Sequence, residues 1–255
     1  MTNRVRYVSI RRTPILNDAE RAYGRPSHGA GIHKPQASIA PIRHRAIVTQ
    51  VLLVVNIVLS IAVIAASVVD ITILAIAASG GTIPDEVWGL NESVFTFLGS
   101  LQTGLYWVTA IAFLIWLHRA YRNVTTLGAE GLESTPGWAV GVWFIPFANL
   151  IYPFKVLREV YKASFTASGP HDKTSWRSVQ TPAVIPLWWG SFIISNFLDK
   201  VVSGIMSAAQ DIESWIIGSY LIILTEILYI SAAALLITIT RRISKTQDSI
   251  SRVNL

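Results

Sequence analysis

Long apolar runs alternate with shorter polar stretches along the chain. The four longest runs cover about residues 46–69, 97–118, 183–205 and 214–240. Each is long enough for a helix to cross a hydrocarbon core of ~30 Å, which takes ~20 residues. Backbone amides find no water at that depth, so each run should form a helix. The pattern predicts an all-α integral membrane protein with four transmembrane helices, forming a membrane domain over residues 46–240.

A fifth apolar stretch, Gly137–Phe154, reads "GWAVGVWFIPFANLIYPF". It is short for a span, and Pro146, Asn149 and Pro153 interrupt any helix that it could form. Irregular backbone is tolerated at membrane depth only where it packs against protein or lines a wet cavity. We therefore expect a re-entrant or interfacial segment over residues 137–164, packed between the spans.

The second part of this segment has the pattern of an amphipathic helix. Charged residues occupy one face of residues 155–164, and the other face carries Val156, Leu157, Val160 and Tyr161. This predicts a surface helix in the headgroup plane, with its apolar side towards the lipid and its basic side towards anionic headgroups.

The distribution of charge predicts the topology. Lys and Arg are concentrated in residues 1–45, 155–182 and 241–255, whereas the stretches 80–96 and 206–213 contain acids and no base. Basic segments remain on the cytoplasmic side of a membrane. All of them do so only if the apolar stretch of residues 137–154, which we call the Pro-broken segment, turns back within the membrane. Both termini then lie on the cytoplasmic side of a cell (plasma) membrane. Residues 1–45 then form a basic, largely disordered tail, and residues 241–255 form a second basic tail.

Composition agrees with lipid as the solvent. Of 255 residues, 52% are hydrophobic and 14% charged, against about 25% charged in soluble domains. The net charge of +6 would suit nucleic acid, but a basic tail before a span more often contacts anionic lipid headgroups. We expect the bilayer and those headgroups as partners, with a protein partner or a second copy of the chain left open, and no nucleic acid.

Glu226 is the most costly residue to place in a membrane, because it lies near the middle of the last run. An intramembrane carboxyl group should face protein or water. Asn196 and Asn56 lie at comparable depths, and their amides could hydrogen-bond it. Such a polar cluster would serve proton or cation coupling, or it would simply hold the helices together.

A second set of candidate residues lies at the predicted cytoplasmic face. Arg119, Tyr121, Arg122 and Asn123 end the second run. One arginine could pair with Glu159, next to Arg158, and so fix the re-entrant element, or these residues could bind a ligand. Asn149, between Pro146 and Pro153, could offer its amide to a substrate or cap a broken helix. We interpret the aromatic residues near this boundary as interfacial anchors: Trp116, Tyr121, Trp138, Trp188 and Trp189.

The order of several motifs resembles a known family. "FLIWLHRAYRN", then "LGA", then "PGWAVGVWFIPFANLIYPFKVLREVYKAS" and finally "PLWWG" are similar to a bacterial membrane family known as domain of unknown function 4328. The resemblance covers roughly residues 46–248. It implies a multi-span membrane protein and no particular activity.

Enzyme signatures are missing from the sequence. There is no metal-ligand spacing among the five histidines, no nucleophile elbow, no P-loop and no dinucleotide fingerprint, and there is no cysteine. We predict no cofactor and no catalytic residue. The favoured hypothesis is a non-enzymatic scaffold or regulator, and the alternatives are a small transporter or channel around Glu226 and, last, a lipid-modifying enzyme.

Overall fold

The computed structural model describes residues 39–166 and 174–253, and in these residues it contains helices and no strand. Residues 1–38 of the predicted basic tail lie outside the described residues. The described residues form six α-helices: α1 Arg43–Ala78, α2 Asp85–Thr126, α3 Pro136–Gly141, α4 Tyr152–Thr166, α5 Val184–Ala208 and α6 Ile212–Val253. Short 3-10 helices cover Val142–Phe144, Ala148–Leu150 and Ser175–Ser178.

The four long helices pack side by side. Helix α6 packs between α1 and α5, and α1 in turn packs against α2. Helix α5 returns into α6 through a short connection, so these two helices are antiparallel neighbours. The short helix α3 packs against α2, and α4 packs against α6, α2 and α5.

Three helices are long and apolar enough to cross a membrane: α1, α2 and α6, the last as far as Ser251. They indicate a membrane protein. Helix α5, the third predicted span, is 25 residues long but is not among these three candidates, because polar residues within it, such as Asn196, Asp199 and Lys200, lower its mean hydropathy.

Two helices extend beyond the predicted runs at the same end. Helix α1 continues past Asp70 to Ala78, and α2 begins at Asp85, well before the apolar run at residue 97. Pro84 precedes the first turn of α2, where Asp85 and Glu86 complement the positive end of the helix dipole. Local start signals therefore extend the helix beyond its apolar part.

In the described residues, the predicted C-terminal tail of residues 241–255 is not separate from the last helix. Helix α6 continues through it to Val253. Ile243 and Gln247 are fully buried and Ser244 nearly so. Because Arg241 and Arg242 are charged, the sequence suggested a tail. These residues instead lie on the exposed face of an amphipathic helix whose other face packs in the core. Similarly, Ile39 and Ile42, which precede the apolar run at residue 46, are buried.

The core lies at one end of the bundle, where α1 begins and where α2 and α6 end. We call this the basic end and the opposite one the acidic end, after their charges. Buried residues in α2 begin only at Thr109 and continue to Val124. Large apolar residues from the four long helices and from α4 pack there, among them Trp116, Leu117, Trp188 and Ile239. Towards the acidic end, α2 has no buried residue.

The Pro-broken segment fills the space between α2 and α5 near the basic end. The ring of Trp143 packs edge-on against the rings of Phe113 in α2 and Phe192 in α5, with centroid distances of 5.5 and 6.2 Å. The chain then turns at Pro146 and Phe147, and Phe147 has a φ of 64° with its side chain 85% exposed. It returns past Trp189, whose Nε1 donates to the carbonyl of Leu150 at 3.1 Å.

Two interpretations of exposed apolar surface are wrong. The apolar face of α4 packs into the protein rather than towards lipid: Val156, Leu157 and Val160 are fully buried against α2 and α6. The aromatic residues also differ from a belt of interfacial anchors. Trp116, Tyr121 and Trp188 belong to the core, whereas Trp138 is exposed.

Candidate functional site

The first candidate site is a buried junction at the basic end, centred on Tyr121 of α2. Its hydroxyl donates to Glu159 Oε2 of α4 at 2.7 Å and accepts from the backbone N–H of Ser134 at 3.1 Å. Glu159 Oε1 accepts from the backbone N–H of Glu133 at 2.5 Å. One tyrosine and one carboxylate therefore hold together the residues that precede and follow the Pro-broken segment.

The carboxyl of Glu159 is only 5% exposed. Its burial raises the pKa of Glu159, while the hydrogen bonds from Tyr121 and Glu133 act in the opposite direction. The geometry is that of a carboxylate acceptor, with two donors aimed at its two oxygens.

The predicted pairing of an arginine with Glu159 is not the arrangement found. Within the described residues, Glu159 forms no ion pair, and Tyr121 is its side-chain partner on α2. The guanidinium of Arg158 lies over the ring of Phe154 at 5.6 Å. Arg119 is half-buried and Arg122 is exposed at the end of α2.

A second network at the basic end joins α2, α4 and α6 to the entry of α1. The amide of Asn123 donates to Gln247 Oε1 at 2.9 Å and to the carbonyl of Ala40 at 3.0 Å. Gln247 Nε2 donates to Ser164 Oγ at 2.8 Å and to the carbonyl of Ala120 at 3.1 Å. Of the predicted candidates, Tyr121, Asn123 and Glu159 thus lie in one continuous region.

The other predicted site residues of this region, Pro146, Asn149 and Pro153, lie in the turn of the Pro-broken segment or at the start of α4. Pro146 lies in the exposed turn, and Pro153 is buried in the first turn of α4. The backbone N–H of Asn149 donates to the carbonyl of Ile145 at 3.0 Å. Its Oδ1 is buried and accepts no hydrogen bond within the described residues. Asn149 lies within the 3-10 helix Ala148–Leu150, and its side chain caps neither this helix nor the preceding one.

The second candidate site is a polar cluster around Glu226, which is 5% exposed. Gln102 Nε2 of α2 donates to both of its carboxylate oxygens, at 3.0 and 2.9 Å, and lies 3.5 Å from Ser60 Oγ of α1. Along their helices, Ser60, Gln102 and Glu226 lie about 21–26 Å from Ala46, Arg119 and Arg241 at 1.5 Å per residue. Three helices thus contribute polar groups at one depth.

The asparagines predicted to accompany Glu226 have other partners. Asn56 Nδ2 donates to Thr109 Oγ1 and to the carbonyl of Leu52, both at 2.8 Å. Asn196 Nδ2 donates to the carbonyl of Phe192 on its own helix at 2.7 Å. No hydrogen bond between described residues joins either asparagine to Glu226, so the predicted three-residue cluster is not formed.

Asp70 forms a third buried polar contact that the sequence interpretation did not include. Its two carboxylate oxygens accept from Asn91 Nδ2 and from Ser219 Oγ, both at 2.6 Å. It joins α1, α2 and α6 near the acidic end. Gln102 and Glu226 lie at similar depths along their apolar runs, as do Ser219 and Asp70. Depth along the runs could therefore have indicated both pairs from the sequence. No comparable signal indicated Gln247, because it follows the charged residues 241–245.

Together, the long apolar helices and the buried polar contacts between them define a helical protein suited to a membrane. No group of three metal-ligating side chains lies among residues 39–166 and 174–253. The family model for the Domain of unknown function (DUF4328) matches residues 80–245, so the chain belongs to this family, as the sequence resemblance indicated. No curated protein and no solved structure matches the chain.

Proposed function

We propose that the chain is a multi-pass plasma-membrane protein with four spans, α1, α2, α5 and α6, and with both termini in the cytoplasm. We further propose that it acts as a non-enzymatic scaffold or regulator, whose basic cytoplasmic face binds anionic lipid. Residues 137–154 turn back within the membrane instead of crossing it.

The Tyr121 junction is the observation that carries this topology. Ser134 before the Pro-broken segment and Glu159 after it both bond to Tyr121, at 3.1 and 2.7 Å. A segment that crossed the bilayer would separate its ends by the ~30 Å of the hydrocarbon core. Ends that meet at one phenol support a segment that enters and leaves on one side.

The charges of the two ends support the orientation. Exposed bases lie around the basic end on α1, α2, α4 and α6, namely Arg43, Arg45, Arg122, Lys155, Arg241, Arg242 and Lys245. Residues 80–96 and 206–213, at the acidic end, contain Asp85, Glu86, Glu92, Asp211 and Glu213 and no base. An excess of Lys and Arg is typical of the cytoplasmic side, and such residues attract anionic lipid at about 1 kcal/mol each near the surface.

The natural chain has no cysteine, so single cysteines can report the topology directly. Cysteine at Glu86 or Glu213 should react with a membrane-impermeant maleimide in intact cells. Cysteine at Glu133, Lys155 or Lys245 should react only after permeabilisation. All five positions are exposed, so lack of labelling is not explained by burial.

The decisive comparison is between positions 133 and 155, which flank the broken segment. Labelling of one but not the other in intact cells would show that the segment crosses, and it would overturn the topology. Labelling of permeabilised cells at both positions provides the control for reactivity.

The Glu226 cluster favours a second candidate function, a transporter or channel coupled to protons or cations. Around Glu226, the side chains of Asp199, Tyr106 and Tyr229 interact electrostatically with one another or with Glu226. They come from three helices, and a buried carboxyl at this depth is a candidate for ion coupling.

Replacement of Glu226 by Gln separates the two candidate functions. The amide retains an acceptor for Gln102, so the protein should fold. A transporter should lose pH-dependent flux in reconstituted vesicles, whereas a scaffold shows no flux in either form. Glu92→Gln, an exposed acid at the acidic end, is the matched control.

A further inference from the structure

Three arginines lie together at the basic end, where α1 begins and α2 ends. Coulombic repulsion from both Arg122 and Arg45 acts on Arg119. Arg119 and Arg122 are three residues apart and therefore share one face of α2, and Arg45 lies in the first turn of α1, which packs against α2. Three positive charges are thus concentrated between two helix ends.

No carboxylate neutralises this cluster within the described residues. Among the described residues, the ion pair found is between Lys200 and Asp199 of α5, and no acid of this part of the chain forms an ion pair with any of the three arginines. Arg45 uses one guanidinium nitrogen to bond the carbonyl of Pro41 at 3.4 Å, and its side chain is exposed, as is that of Arg122.

Arg119 provides the second observation. Its Nε is buried, yet it has no hydrogen-bond partner in the described part of the chain. A buried donor without an acceptor costs free energy, and here the donor belongs to a cation that two other cations repel. The C-terminal dipole of α2 offsets part of this repulsion, but it supplies no acceptor to Nε.

We propose that Arg45, Arg119 and Arg122 form a discrete site for the phosphate group of an anionic phospholipid in the inner leaflet. A phosphate offers several acceptor oxygens, and guanidinium groups bind it in a bidentate manner. The site lies beside the first apolar turn of α1, at Ala46, which is the level at which a headgroup phosphate meets the hydrocarbon core. This inference rests on the proposed orientation, with the basic end at the cytoplasmic surface.

Native mass spectrometry of the full chain, purified in an uncharged detergent, tests the site. The protein is titrated with phosphatidylglycerol and, separately, with phosphatidylcholine. At about 1 kcal/mol, or fivefold in affinity, for each base, the triple variant Arg45→Gln, Arg119→Gln, Arg122→Gln should bind phosphatidylglycerol about a hundredfold more weakly. Phosphatidylcholine binding should be weak in both.

A charge-matched control is available on the same face. The triple variant Lys155→Gln, Arg241→Gln, Lys245→Gln removes three exposed bases of the basic end but none of the site. A phosphate held by the three arginines of the site does not contact these bases, so this variant should lose much less affinity for phosphatidylglycerol than the site variant. Equal losses in the two triple variants would overturn the discrete site and leave a diffuse basic face, as in the proposed function. Failure of the natural chain itself to prefer phosphatidylglycerol would overturn both.

Two further arms complete the experiment. The double variant Arg45→Gln, Arg122→Gln keeps the half-buried Arg119 and should still lose about 25-fold, so it decides the question if the triple variant does not fold. Millimolar inorganic phosphate should not displace the lipid. Displacement would show a site for free phosphate, and the assignment to a lipid would be wrong.

Discussion

The phenol oxygen of Tyr121 lies 2.7 Å from a carboxylate oxygen of Glu159, which follows it by 38 residues. Between these two residues the chain leaves α2, enters the Pro-broken segment and returns as α4. The same phenol accepts from the backbone of Ser134. One side chain of α2 therefore joins the two ends of the broken segment.

Replacing Tyr121 by Phe should destabilise the protein. The change keeps the buried ring but removes the hydroxyl, so the backbone N–H of Ser134 and Glu159 Oε2 lose their partner. Buried groups left unpaired cost about 1–3 kcal/mol in the free energy of unfolding. Chemical denaturation in detergent measures the difference. Tyr220→Phe, at an exposed position of α6, should change it by less than about 0.5 kcal/mol, and an equal effect at the two sites would contradict the junction.

Stability should depend on pH through Glu159. Because burial raises its pKa, the folded state keeps a proton at pH values where the unfolded state has lost it. The stability that this group contributes is present below the ordinary glutamate pKa and is lost as the pH rises through the raised value.

Thermal unfolding across this pH range should show the loss in the natural chain and a smaller one in Glu159→Gln. The variant Glu86→Gln, which changes an exposed acid at the acidic end, should retain the full dependence. If Glu159→Gln and the natural chain have the same pH profile, Glu159 is not the titrating group.

Two amide substitutions distinguish the observed partner of Glu226 from a predicted one. Gln102→Leu removes the donor to both carboxylate oxygens and should cost about 0.6–2 kcal/mol, the range for hydrogen bonds between membrane helices. Asn196→Leu removes only a bond within α5 and should cost less than about 0.5 kcal/mol. Unfolding in mixed micelles provides the comparison. The reverse order would place Asn196, and not Gln102, beside the carboxyl group.

Truncation tests the role of the last turns of α6. A chain that ends at Arg242 lacks Ile243, Ser244 and Gln247, and so loses the acceptor for Trp116 Nε1 and the bonds of Asn123 to Gln247. We expect a loss of at least about 3 kcal/mol, the cost of deleting one large buried residue and its polar partners, and a sharp fall in the yield of monodisperse protein. A chain that ends at Val253 should behave as the full chain does. A stable protein from the shorter chain would show that residues 243–253 are dispensable.

The helical class and the approximate positions of the long helices followed from the sequence, because runs of apolar residues reflect the solvent of each segment. The break at Pro146 and Pro153 was equally readable, since proline removes a backbone donor. Family membership was visible from the order of the aromatic and basic motifs around Arg119 and Pro146.

The partners of individual side chains were not predictable in the same way. Glu226 was correctly singled out as buried, but its partner depends on how α2 is rotated against α6, and apolar runs do not encode that rotation. Helix α4 shows the same limit. Its pattern indicates one apolar face, and the pattern is identical whether that face meets lipid or, as found, Tyr121 and its neighbours in the core.

The uneven packing of α2 has a consequence for what surrounds it. Its last turns are fixed by Trp116, Tyr121 and Asn123, whereas its first 24 residues contain no buried side chain, and only Asn91 and Gln102 bond to α1 or α6 there. In the proposed membrane setting, lipid rather than protein would therefore have to cover most of the apolar surface of this half, including Leu90, Phe97 and Trp107, whereas the half after Thr109 is covered by its own neighbours in the bundle.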